Sequence, residues 1–99
     1  MCGIFGVTGA ENPVDDVLSG LSRLEYRGYD SAGMATNLNG EIASEKSVGK
    51  LQALRDALEA SPTNHGAGAA LGHTRWATHG GPTEANAHPH QFGRWVVVH

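Results

Sequence analysis

The chain has 99 residues, a formal net charge of −3 at neutral pH and one cysteine, Cys2. That length holds one small domain or part of a larger one, and a lone cysteine excludes an internal disulfide framework. Charges scattered along the chain make no basic face, so nucleic acid is not an expected partner, and no apolar run approaches a membrane span.

No charged leader precedes the first apolar residues, so the expected compartment is the reducing cytoplasm. The 14 glycines point to tight turns and to places where backbone approaches something closely. In chain order, "CGIFGVTG" predicts a short strand ended by glycine. The next stretch, "ENPVDDVLSGLSRLEYRG", carries helix signals at both ends. Asn12 suits the cap, Pro13 the first helical position, and Asp15 and Asp16 the acidic first turn. Val14, Val17, Leu18, Leu21 and Leu24 keep the 3.6-residue period, and Gly28 fits the stop.

Two strands around Asn39-Gly40 follow, because that dipeptide favours a two-residue hairpin turn. "KLQALRDALEA" predicts a second amphipathic helix with Leu51, Leu54 and Leu58 on one face and Pro62 soon after its end. "GAGAALGHT" reads as a strand of small residues. From Arg75 to Gly93 the chain is rich in Gly, Pro, His and Asn and reads as one long functional loop. "RWVVV" reads as a central strand that stops at His99 without a closing element, so an interrupted domain is expected.

Four groups of residues could carry chemistry. Cys2 has two readings that position alone leaves level: a small hydrophobe starting a buried strand, or a nucleophile. An unperturbed thiol is only about 3% thiolate at neutral pH, so the second reading needs activation. Once Met1 is removed, the α-amine of Cys2 itself, with an ordinary pKa of about 7.7–8.0, could act as base through a bridging water.

"GHTRWATHG" is the densest polar stretch. Arg75 offers a planar fork for a carboxylate, Thr78 a hydroxyl, His79 a titratable ring and Trp76 a flat wall. A buried arginine holding a loop through backbone carbonyls fits the same residues equally well. His73, His79, His88, His90 and His99 invite a metal, but no second cysteine or helical histidine pair supports one, and no metal or cofactor is expected. "EYRGYDSAG" brings Tyr26, Arg27, Tyr29 and Asp30 to a helix end, chiefly as a capping cluster, with Arg27 able to reach a pocket.

Taken together, "CGIFG", "LEYRGYDSAG", "HTRWATHG" and "NAHPH" resemble the glutamine-hydrolysing domain of the class II glutamine amidotransferases, which are N-terminal nucleophile hydrolases. The resemblance runs from Cys2 to the end of the chain. It implies an α+β fold, the four-layered αββα sandwich of that family, with residues 2–99 forming its N-terminal portion. It implies Cys2 as the nucleophile that attacks the side-chain amide of L-glutamine. Arg75 would hold the α-carboxylate, Thr78 and His79 the rest of the substrate, and Trp76 would stand beside the thiol. Arg27 would support the pocket, and His88 would order it from the loop.

In the family, an Asn-Gly pair follows the last strand and builds the oxyanion hole; this sequence ends one residue before it. Such donors are worth about 2.7–4 kcal/mol each in the transition state. The acidic residue that binds the α-amine and the sugar-isomerase region that takes fructose 6-phosphate also lie outside these residues. The resemblance implies a homo-oligomer for the longer protein and a place in hexosamine biosynthesis. Two alternatives stay open: an inactive fragment that needs a complementing chain, and a related amidotransferase with another ammonia acceptor.

Overall fold

The computed structural model describes residues 1–61 and 68–99. Among them, strand β1 (Gly3–Thr8) leads into helix α1 (Pro13–Leu24) and one 3₁₀ turn (Glu25–Arg27). Strands β2 (Ser31–Leu38) and β3 (Glu41–Val48) form a hairpin, followed by helix α2 (Leu51–Ala60). Strand β4 (Ala69–Arg75) and the small hairpin β5 (His90–Phe92) and β6 (Trp95–Val97) complete the order. The expected helix stop at Pro62 and the first residues of "GAGAALGHT" lie outside the described residues.

The four-stranded sheet has the order β1-β4-β2-β3, antiparallel throughout. The β2–β3 turn is the one its sequence demands: Asn39 and Gly40 both take positive φ, 52° and 87°, the geometry whose twist matches flanking strands. Period-2 alternation gives the sheet one face for the helices. Val17 and Leu21 of α1 and Leu54 of α2 are fully buried there against Ala32, Met34 and Ala70. These are an α-layer and a β-layer of the expected sandwich. The β5–β6 hairpin stands over the other face, leaving between them an apolar groove of about 470 Å³ lined by Gly6, Ala35, Ile42, Leu71 and Val96.

Three expectations are corrected. Asn12 occupies the cap position of α1 but makes no side-chain cap bond; its carbonyl accepts from the Asp16 amide instead, at 3.0 Å. The stretch 75–93 is not one loop, because Arg75 ends β4 and His90–Phe92 pairs with Trp95–Val97 across a Gly93-Arg94 turn. The valine-rich stretch is not a central strand: β6 pairs with β5, and Trp95 and Val97 are 68% and 55% exposed. Gly28 does follow the helical run, but with extended backbone. It is glycine because a Cβ would stand 2.8 Å from the backbone of Arg75 and Trp76.

Helix α2 has no cap of its own, since the Lys50 side chain makes no cap bond. Its first amide, that of Leu51, instead donates to the Glu25 carboxylate at 2.7 Å, which satisfies one of the orphan donors of a helix start. Replacing Glu25 by Ala should therefore cost about 1 kcal/mol. Amide exchange should accelerate in the first turn of α2 and not in α1; equal acceleration in both helices would contradict this linkage.

Candidate active site

Register decides where the thiol lies. Gly3 pairs with Thr74, so Cys2, one residue earlier, faces the chain as it leaves β4. The Trp76 amide donates to Cys2 Sγ at 3.4 Å, and the sulfur lies 3.9 Å from the Trp76 carbonyl oxygen. Cys2 is half-buried. A pocket of about 210 Å³ opens beside it, walled by Cys2, Arg75, Trp76, Thr78, His79 and His88. Six of the seven residues to which the resemblance gives a role thus line one cavity.

Arg27 is the exception. It does not line that pocket, and its guanidinium contacts the Met1 sulfur. Asn86, to which the sequence reading assigned no role, lines the pocket and donates to the Gly81 carbonyl at 3.1 Å. The signal for it was present, since Asn86 opens the "NAHPH" motif.

Asp30 holds the segment that faces the thiol. Its amide donates to the Arg75 carbonyl at 3.0 Å, and its carboxylate accepts from the Ala77 amide at 2.8 Å. The residue between those two anchors is Trp76, whose amide meets the sulfur. Arg75 turns back on its own loop: Nη1 donates to Gly81 at 3.0 Å, and Nη2 contacts the His79 and Gly80 carbonyls. Of the two readings left open for this arginine, carbonyl anchoring of the loop is present in this structure. The guanidinium nonetheless borders the cavity. Trp76 is 48% exposed, a flat wall open to solvent.

Histidines form the floor. His73 is fully buried on β4 and stacks on His88 with ring centroids 4.4 Å apart. His90 and His99 meet the His88 ring edge-on at 4.5 and 5.1 Å. His73 Nε2 lies 2.6 Å from the His99 main-chain oxygen, while Nδ1 of both His73 and His88 is buried without a partner. Burial pushes the His88 imidazole down to about 4, helped by the nearby charges of His73, His90, His99 and Arg75. His73 is lowered too, by burial first and against the raising effect of its His99 bond. Among the described residues, no group of three or more histidine, cysteine or acidic side chains is arranged to hold a metal ion. Among the described residues, the larger apolar groove under the hairpin is lined by no cysteine, histidine or carboxylate.

No family model matches the chain. Among solved structures, it superposes on the glutamine phosphoribosylpyrophosphate amidotransferase from B. subtilis complexed with ADP and GMP with a TM-score of 0.71 at 23% identity. The allosteric regulatory enzyme of purine biosynthesis gives 0.74 at 26% identity. Both matches cover 90% of this chain and 18% of the other. The fold is therefore that of the N-terminal nucleophile amidotransferases, α+β in class. Curated relatives narrow the family. The chain is 53% identical over 102 residues to the glutamine–fructose-6-phosphate aminotransferase [isomerizing] of Leifsonia xyli, and 54% identical over 101 residues to that of Streptomyces coelicolor. The corresponding protein of Corynebacterium diphtheriae is 52% identical over 108 residues. Over its whole length the chain is similar to the N-terminal part of the glutamine–fructose-6-phosphate aminotransferases. It spans about a sixth of their length, 16–17%.

The buried histidines set a pH dependence whose sign is fixed. His88 stays neutral in the fold down to about 4, while an unfolded imidazole titrates near 6.5. Between those values the unfolded chain binds the extra proton, so stability present above about pH 6.5 is lost progressively toward pH 4. The urea midpoint should fall across that window, and His88→Phe, which keeps a stacking ring without a proton site, should flatten the fall. A midpoint in the parent chain that is level from pH 7 to 4 would contradict the assignment.

Proposed function

We propose that this chain carries the nucleophile and part of the glutamine pocket of a glutamine-hydrolysing enzyme. The observation that supports it most is the meeting of Cys2 with Arg75, Trp76, Thr78, His79 and His88 around one small cavity. Met1 must first be removed, which frees the α-amine of Cys2. Because Arg27 contacts the Met1 sulfur, that removal also releases its guanidinium beside the new N-terminus.

The chemistry then runs as follows. The α-amine takes the thiol proton through a water, and Cys2 Sγ attacks the side-chain amide carbon of L-glutamine. The tetrahedral intermediate collapses as the amine returns a proton to the leaving nitrogen. Ammonia departs and a Cys2 thioester remains. Water, activated by the same amine, attacks the thioester, so glutamate leaves and the thiol is restored. Arg75 is the cation for the α-carboxylate, since a guanidinium fork suits that group and the other pocket donors are weaker. Thr78 and His79 hold the remaining polar atoms, with Trp76 as the wall.

For the longer protein, the relatives' name supports fructose 6-phosphate as the acceptor of that ammonia; glucosamine 6-phosphate as the product and a cytoplasmic homo-oligomer complete the proposal. Residues 2–99 are then the N-terminal portion of the glutaminase domain. No helix among the described residues is long and apolar enough to cross a membrane. A second reading rests on a different observation: the sheet face away from the helices is bare at Ile4 and Val48, each 45% exposed. On that reading the chain acts only with a complementing polypeptide seated on this face.

Intact mass separates the two. The chain lacking Met1 should gain one adduct from a diazoketone analogue of glutamine, glutamine should block it, and Cys2→Ala should abolish it. An adduct that persists in Cys2→Ala would overturn the nucleophile assignment. A Met1-free chain that takes up no adduct would favour the complementation reading.

A further inference from the structure

Three strands place one row of residues across the sheet face away from the helices. Gly33 of β2 pairs with Lys46 of β3 on one side and His73 of β4 on the other. The middle member has no side chain, and another part of the chain fills the gap. A Cβ at Gly33 would stand 2.0 Å from the His88 carbonyl oxygen and 3.1 Å from Pro89 Cδ. Lys46 Nζ closes one wall by donating to the Ala87 carbonyl at 2.9 Å. The His73 ring closes the other by stacking on His88. Ala87, His88 and Pro89 are all buried as a result.

The segment seated in this slot is the one that walls the Cys2 cavity, because Asn86 and His88 both line it. Lys46 does not line that cavity; it acts from β3, at the opposite edge of the sheet from β1. We propose that Lys46 is a positioning residue for the Cys2 pocket: its ammonium clamps the Ala87 carbonyl and so fixes the Asn86–His88 wall. This deepens the glutamine-pocket reading and rests on it for its functional meaning. The geometry needs a donor long enough to reach the loop from this edge strand, and Lys46 supplies it. A charge-assisted bond to a carbonyl is stronger than a neutral one, and the lysine stem covers the sheet between. The bond also joins positions 41 residues apart, which no local motif could do.

The test uses two readouts that do not involve glutamine. Lys46→Met keeps the stem and loses the donor; Lys46→Arg keeps a cationic donor. In the Met variant, amide exchange at Ala87, whose amide is bonded within the loop, should quicken about fivefold, with β2 and β4 unchanged. Alkylation of Cys2 by iodoacetamide should rise about threefold as the wall loosens, and Lys46→Arg should reverse both effects. Should Lys46→Met not fold, Lys46→Gln, whose amide is too short to reach, carries the same expectation. Unchanged exchange and alkylation would overturn the proposal, as would equal acceleration throughout the sheet. Glutamine protection of Cys2 in the parent chain is measured alongside. Its absence would count against the glutamine reading, while unchanged readouts in the Lys46 variants would count against the positioning role alone.

Discussion

The antiparallel pairing of β1 with β4 is the constraint on which the site depends. Opposing Gly3 to Thr74 brings the start of the chain against the end of β4. Cys2 then meets the Trp76 peptide, whose amide lies 3.4 Å from its sulfur. A shift of one residue would turn every side chain of β1 to the other face. Phe5, which packs toward α1, would then exchange faces with Ile4, so the buried helix layer fixes the register that positions the thiol. The packing of the core and the placement of the thiol share one register.

What the sequence disclosed follows from how locally each feature is encoded. Helices α1 and α2 and the Asn39-Gly40 turn were legible because periodicity and turn chemistry act over a few residues. The chemistry-bearing stretch was legible for a similar reason, since Arg75, Trp76, Thr78 and His79 lie within one motif. The β5–β6 hairpin was not legible. Its strands are three residues each, its faces are exposed, and its turn sits inside a composition that reads as loop. Nor could spacing reveal that Glu25 caps α2, because the two partners are 26 positions apart. Arg27 was placed in the pocket by resemblance, whereas in this structure, which retains Met1, its guanidinium is engaged by that residue.

The even choice over Arg75 has a physical resolution. A guanidinium has five donors, and the carbonyls of His79, Gly80 and Gly81 engage Nη1 and Nη2. Carbonyls orient the cation without neutralising it, as a carboxylate would. Anchoring the loop and presenting positive charge to the cavity are therefore compatible uses of one side chain. Asp30, which holds the Trp76 segment, spends its carboxylate on the Ala77 amide. The pocket keeps a cationic side suited to an anionic group.

The histidines complete that electrostatic design. His73 and His88 are stacked, buried and within reach of Arg75, His90 and His99, and each has an unpartnered Nδ1. A proton on either ring would be opposed by burial and by its neighbours, so both rings serve as flat neutral packing at working pH. That neutrality matters for the loop above them. Its backbone lies in the gap left by Gly33, and a charged ring below it would repel Arg75 and weaken the stack that closes the slot. Gly33 of β2 makes the seat, neutral rings line it, and the lysine at the far edge locks it. The thiol at position 2 meets a formed wall only because these conditions hold together.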